Sequence, residues 1–113
     1  MGVKRAWRLK SEADVQRVWQ QGGTWAHPLV ILRARANGLA QSRVAFVAGK
    51  KVGGAVARNR AKRLLRESAR QLFPQIAPGY DLVLIGRGAI LETRQPVVAA
   101  AVAELLRRAK LLK

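Results

Sequence analysis

Cysteine is missing from this chain of 113 residues, and histidine occurs only once, at His27. Without thiols the chain can form neither disulfides nor cysteine-ligated zinc sites, and a single imidazole excludes a histidine-rich metal site. A serine nucleophile would need a nearby base, yet His27 adjoins Pro28 in a predicted turn. The sequence therefore offers no plausible nucleophilic active site.

Acidic residues are scarce, with 6 against 22 lysines and arginines, so the formal net charge is +16. Their spacing suggests neither an acid–base pair nor a metal cluster. Glu12 and Asp14 suit the start of a helix instead. This excess of positive charge is larger than solubility requires, and it indicates a polyanionic partner.

Long hydrophobic runs are also missing. The apolar run at residues 97–103 is too short to span a bilayer, and the basic start lacks the apolar stretch of a signal peptide. We therefore expect a cytoplasmic protein with no membrane partner. Because 50% of the residues are hydrophobic, the chain can still bury a core, and its length suits one domain over 1–113 with a mobile basic leader at 1–8.

Turn signals and hydrophobic periodicity predict the element order α-β-β-β-α-β-α. The first helix starts after a Ser11 cap and ends at Gly22, and the last helix starts at a Thr93 cap. The central helix ends near Phe73, because Pro74 follows. The predicted strands cover residues 24–26, 29–35, 43–48 and 80–85. We expect the strand at 43–48 to pair with the strand at 29–35, and helices to cover a single sheet.

The segment at residues 49–70, GKKVGGAVARNRAKRLLRESAR, joins two glycines to a helix that is basic along one side. At about 100° per residue, one side of the helix collects small and apolar residues: Ala57, Ala61, Leu64, Leu65, Ser68 and Leu72. The other side collects Asn59, Lys62, Arg63, Arg66 and Arg70. Like charges at this spacing repel one another unless an anion lies across them. The segment therefore predicts a phosphate-binding surface, with a merely solvated cationic face as the alternative.

Other uses of a basic helix fit the sequence less well. Gly49-Lys50 does not belong to a P-loop, because that motif needs glycine at Val44 and serine or threonine at Lys51. A helix-turn-helix module is disfavoured because β-rich runs stand where a second helix would be needed. A membrane-surface helix is disfavoured because the apolar side is small and rich in alanine. The residues thus favour a non-catalytic RNA- or DNA-binding domain.

The string KKVGGAVARNRAKRLLRE at residues 50–67 closely resembles the RNR signature of the protein subunit of bacterial ribonuclease P. The string RLKSEADVQRVWQQG at residues 8–22 resembles the first helix of the same family. The resemblance covers nearly the whole chain. It implies an α+β, two-layer sandwich with a mostly antiparallel sheet and a left-handed β-α-β crossover, like a ribosomal-protein domain.

The resemblance also implies which residues bind RNA. The expected contacts with catalytic RNA or substrate phosphates are Lys50, Lys51, Arg58, Asn59, Arg60, Lys62, Arg63, Arg66 and Arg70. The family's cleft for the 5′ leader of precursor tRNA, between the first helix and the sheet, here selects Val15, Trp19, Val30, Leu32 and Val47. An ordinary core position is the alternative for the valines and for Trp19. The family often has aromatic residues at the Val15 and Leu32 positions, so we expect thinner base stacking here.

The same resemblance implies how the work is divided within the ribonucleoprotein. In that family the RNA subunit is the catalyst that matures tRNA 5′ ends, and Mg²⁺ is held mainly by the RNA. The protein would then be non-catalytic on its own and bind no cofactor in a dedicated site. Its expected partners are ribonuclease P RNA, at one protein per RNA, and precursor tRNA. A ribosomal or other RNA-scaffold protein is the alternative.

Overall fold

A computed structural model describes residues 7–113. Its helices and strands occur in the predicted order, and the α+β class is confirmed. The helices and strands are α1 (Glu12–Gln21), β1 (Gly23–Ala26), β2 (Val30–Ala36), β3 (Arg43–Ala48), α2 (Ala55–Leu72), β4 (Tyr80–Gly86) and α3 (Gln95–Arg108). Short 3₁₀ turns lie at Lys50–Val52, Phe73–Gln75 and Gly88–Glu92.

The four strands form one mixed sheet in the order β1-β2-β4-β3. β4 is antiparallel to β2 and parallel to β3. The predicted pairing of the strand at 43–48 with the strand at 29–35 is therefore wrong, because β4 lies between them. A parallel pair needs a long crossover between its strands, and α2 supplies it. The left hand of this crossover stays a prediction.

The two faces of the sheet have different covers. Alternate residues such as Val30, Leu32 and Leu84 face α2 and α3 in the main core. The intervening residues face α1, where Leu9, Val18 and Val83 form a smaller buried cluster. The single helix α1 contributes only Val18 as a fully buried residue. This face is therefore the more open one.

The start of α1 agrees with the sequence prediction, because the Ser11 hydroxyl accepts a hydrogen bond from the Asp14 backbone N–H at 3.4 Å. The helix ends at Gly22, where close approach demands a glycine. A Cβ there would lie 2.6 Å from the Val18 carbonyl oxygen and 2.8 Å from that of Ala34. The end of α1 is thereby pressed against β2.

The other helix ends match the sequence only in part. α2 ends at Leu72, directly before Phe73-Pro74, as predicted. Thr93 does not cap α3, because the N-cap residue is Arg94 and the Thr93 hydroxyl donates to the Ile90 carbonyl at 2.9 Å instead. Pro96 occupies the first turn of α3, where its missing N–H costs nothing.

The expected mobile leader at 1–8 needs correction at its end. The Trp7 ring stacks on Phe73 with centroids 4.1 Å apart, and Arg8 forms a β-bridge to Val44. Both residues are therefore placed by contacts with the folded chain. The rest of that leader, residues 1–6, lies outside the described residues.

A buried carboxylate connects α1, β3, β4 and the turn after β2. Asp81 is fully buried, and its two oxygens accept hydrogen bonds from Arg43 Nε at 2.9 Å and Nη2 at 2.8 Å. Asn37 Nδ2 donates to the same carboxylate at 2.9 Å, and Arg43 Nη1 lies 3.4 Å from Asp14 of α1. The hydrogen bonds to Asp81 raise the pKa of Arg43. Arg43 thus links the register of the parallel strands to α1 through two ion pairs, one with Asp81 and one with Asp14.

We expect Asp81→Ala to lower the free energy of unfolding by about 3 kcal/mol, because it leaves Arg43 and Asn37 without their buried partner. Urea unfolding measures this loss. Glu104→Ala is the control, since its exposed pair with Arg108 spans 3.9 Å and should contribute about 0–1 kcal/mol. Equal losses in the two variants would contradict the structural role of Asp81.

Candidate nucleic-acid-binding surfaces

The region between α1 and the sheet is the candidate cleft, which we call the α1 cleft. Val15 of α1, Val47 of β3 and Ile85 of β4 are partly buried and pack against the cluster around Val18. The structure therefore brings together Val15 and Val47, which the sequence selected for one cleft. Their contact with the cluster gives the cleft an apolar floor.

The structure places two of the residues predicted for this cleft elsewhere. Val30 and Leu32 are both 0% exposed and belong to the core on the opposite face, under α2 and α3. Successive residues of a strand point to opposite faces, so an error of one residue moves the side chain across the sheet. On β2, Ile31 and Arg33 face α1 instead. The arginines that alternate with apolar residues in VILRARA were the sequence signal for the open face.

Trp19 stands at the end of α1 and keeps 38% of its surface exposed. The Arg33 guanidinium lies over its ring, with Cζ 5.1 Å from the ring centroid, which is within cation–π range. Arg33 Nη2 donates to the Trp19 carbonyl, and Nη1 donates to Thr24 Oγ1 at 2.8 Å. A cation at a helix C-terminus also complements the helix dipole. Arg33 therefore fixes both the helix end and the indole plane.

A cavity of about 450 Å³ opens where the parallel strands β3 and β4 both end. Ile31 and Ile85 form apolar walls, and the chain after each strand contributes basic residues, Lys50 and Lys51 after β3 and Arg87 after β4. Ile31 and Ile85 are paired neighbours in the sheet. This cavity thus adjoins the α1 cleft and adds positive charge to its apolar floor. Arg87 was missed because only the sheet order brings it beside Lys50.

The first turn of α2 concentrates positive charge where a helix disfavours it. The N-cap is Gly54, and the first turn contains no acidic residue. Lys50 and Lys51 precede this turn, Arg58 is half-buried, and Asn59 and Arg60 are exposed. A helix N-terminus already carries partial positive charge, so these side chains increase an unfavourable potential. An anionic ligand such as a phosphate would relieve it.

The remaining basic residues of α2 lie on two flanks of the helix. Lys62 and Arg66 are half-buried and line a cavity toward β3. Arg60 and Arg63 border a groove that also contains Gln95 of α3. The predicted single stripe is therefore a broad basic surface that extends around the helix. The opposite side packs as predicted, with Ala61, Leu65 and Ser68 buried.

Arg70 differs from the other basic residues of α2. Its guanidinium donates to Glu67 from Nη2 at 2.9 Å and from Nε at 3.3 Å. This hydrogen-bonded pair raises the pKa of Arg70 and lowers the pKa of Glu67. Because Glu67 offsets its charge, Arg70 attracts phosphate less strongly than Arg63 does.

Residues 7–113 contain no group of three or more acidic or histidine side chains that could hold a metal ion. The buried carboxylate of Asp81 is already hydrogen-bonded to Arg43 and Asn37. Over the same residues, every helix is too short or too polar to cross a bilayer.

Comparison with known proteins agrees with this architecture along nearly the whole chain. The model of the Ribonuclease P family matches residues 3–110. The ribonuclease P protein component of Roseiflexus castenholzii is 45% identical over 108 residues, which are 95% of this chain and 88% of that protein. The solved RNase P protein of Staphylococcus aureus has a TM-score of 0.84 at 26% identity and covers 96% of this chain and 100% of its own. The one from Thermotoga maritima has a TM-score of 0.80 at 30% identity and covers 89% and 96%.

We expect Arg33→Met to lower the free energy of unfolding by about 1.5–3 kcal/mol, because it removes charged hydrogen bonds at the end of α1. Methionine keeps an apolar stem of similar length. Arg35→Met is the matched control, since Arg35 is half-buried two residues further along the same face of β2. Urea unfolding of both variants measures the difference, and equal losses would contradict the capping role of Arg33.

Proposed function

Because the chain belongs to the family of bacterial ribonuclease P proteins, we propose that it assembles with ribonuclease P RNA and assists removal of the 5′ leader from precursor tRNA. This proposal rests on membership of the family, which implies that the chain takes part in tRNA 5′ processing. The basic surface of α2 and the α1 cleft supply surfaces for two RNA partners, and the two surfaces meet at Lys50 and Lys51. We propose a cytoplasmic ribonucleoprotein with one protein per RNA.

The basic surface around α2 is the proposed contact with ribonuclease P RNA. Its positively charged side chains on or before the helix include Lys50, Lys51, Arg58, Arg60, Lys62 and Arg63. Arg66 and Asn59 extend the same surface. Each side chain that neutralises one phosphate releases condensed counterions, which favours binding at moderate salt. Because phosphates are shared by all RNA sequences, these contacts position the RNA more than they read its bases.

The α1 cleft is the proposed contact with the leader. It combines an exposed tryptophan, an apolar floor at Val15 and Val47, and the basic cavity at Lys50, Lys51 and Arg87. Proteins that bind single-stranded RNA use this combination, because the bases stack on aromatic rings while the backbone lies along positive charge. A leader lying along the cleft would place bases near Trp19 and phosphates near Arg87.

The chemistry of cleavage is proposed to belong to the RNA subunit, which would hold the Mg²⁺ ions. The protein's part is therefore electrostatic. Its cations would lower the repulsion between catalytic RNA and precursor tRNA, a task that Mg²⁺ otherwise performs at higher concentration.

Reconstitution tests this proposal directly. Protein freed of RNA should leave precursor tRNA uncut, whereas its addition to a bacterial ribonuclease P RNA should increase the cleavage rate at low Mg²⁺. Arg60→Ala/Arg63→Ala should lose much of this stimulation, and Arg94→Ala/Arg107→Ala removes equal charge from exposed positions at the ends of α3. Mg²⁺-dependent cleavage by RNA-free protein would overturn the proposal, and so would an absence of stimulation by the native chain.

A second experiment tests the proposed leader cleft. Trp19→Ala should weaken binding of precursor tRNA to the assembled enzyme by roughly 1–3 kcal/mol, because a stacking plane is lost, and should leave mature tRNA binding unchanged. Trp25→Ala is the control, since Trp25 packs against the main core and should cost stability instead. Thermal unfolding accompanies both measurements. If Trp19→Ala binds both tRNAs as the native chain does, the cleft is misplaced.

A further inference from the structure

A smaller cavity of about 270 Å³ lies at the β3 edge of the sheet, beside α2. We call it the edge pocket, and its lining is Arg8, Leu9, Lys10, Val44, Ala45, Phe46, Lys62 and Arg66. Four of these side chains are cationic, and none is acidic. Two cations come from α2, and two come from the segment that precedes α1. The pocket therefore presents positive charge from two opposed walls.

The wall formed by the segment before α1 is held in place by its backbone and by an aromatic stack. The Leu9 N–H donates to the Val44 carbonyl at 2.9 Å, and Trp7 stacks on Phe73 at the end of α2. These contacts are made by the residues on either side of Arg8, and Leu9 also directly precedes Lys10. The two side chains are thus presented from a fixed backbone against β3.

Arg66 is one of the two α2 cations that line the edge pocket. Its guanidinium carbon lies 6.0 Å from the centroid of the Phe46 ring, so an aromatic side chain backs the cation. Its Nε is buried and has no hydrogen-bond partner among the described residues. Arginine guanidinium planes also stack well on nucleobases.

We propose that the edge pocket holds a single unpaired nucleotide of ribonuclease P RNA. Its phosphate would lie between Lys10 and Lys62, and its base would stack on the guanidinium of Arg66. A cavity of this volume with walls on two sides has room for one nucleotide and not for a duplex. This inference rests on the proposed function, and it adds base contact to a surface otherwise expected to bind phosphates alone.

The RNA subunit is favoured over the leader as the source of this nucleotide because of where the pocket opens. The pocket opens at the β3 edge, where Val44 and Phe46 face α2 and Leu9 and Ala45 face α1, and its lining includes neither Val15, Val47 nor Trp19 of the α1 cleft. A leader that follows Trp19 and Val47 would therefore contact other residues than those that line the edge pocket. The basic surface of α2 continues directly into the pocket through Lys62 and Arg66.

Chemical probing of 2′-hydroxyl reactivity in ribonuclease P RNA tests the inference, with native chain and variants at saturating concentration. The native chain should protect one unpaired nucleotide, or a very short run, that Arg8→Ala/Lys10→Ala leaves reactive. That variant should also lower the log–log salt slope of RNA binding by about two units. Arg94→Ala/Arg107→Ala controls for the charge removed and should retain the protection.

Arg66→Lys separates base contact from phosphate contact, because lysine keeps the charge and loses the plane. It should abolish protection of that nucleotide while the salt slope stays as in the native chain. Unchanged protection in both pocket variants would overturn the inference while leaving assembly with the RNA intact. Protection that appears only when precursor tRNA with a leader is added would also overturn it, by assigning the pocket to the leader. Failure of the native chain to bind the RNA would instead refute the proposed function itself.

Discussion

The position of β4 is the constraint on which the rest of the structure depends. β4 is hydrogen-bonded to β2 on one side and to β3 on the other, so it must enter a gap between strands that precede it in the chain. Because it runs parallel to β3, the chain has to cross over through α2, and both strands end at the same edge. That edge collects the basic residues that follow each strand. The buried pair of Asp81 and Arg43 fixes the register in which this happens.

Local structure could be predicted from the sequence wherever neighbouring residues determine it. The Ser11 cap, the end of α2 at Pro74 and the buried side of α2 all depend on residues within a few positions of one another. Strand pairing depends on residues far apart in the chain, so the sequence suggested the wrong partner for β3. The hand of the crossover also depends on residues far apart in the chain, and no hydrophobic pattern in the sequence indicates it.

The same distinction between local and long-range determinants applies to the candidate site. The basic residues of α2 could be listed from helical periodicity, because one element contains them all. The cleft residues could not, since the choice between Leu32 and Arg33 depends on which face of β2 meets α1. Arg8, Lys10 and Arg87 were missed for a related reason. Each of the three lies beside a basic surface only because strands that are distant in the sequence are neighbours in the sheet.

The late place of β4 in the chain also bears on how the protein is made. During synthesis β2, β3 and the basic helix leave the ribosome before the strand that joins them, so a nascent chain cannot complete its sheet until residue 86 has emerged. Until then β2 and β3 each have an unpaired edge, and non-local pairings of this kind form slowly. The helix already carries its full positive charge at that stage, beside ribosomal RNA. Folding of this chain therefore has to bring β4 between β2 and β3 after the basic helix has already emerged.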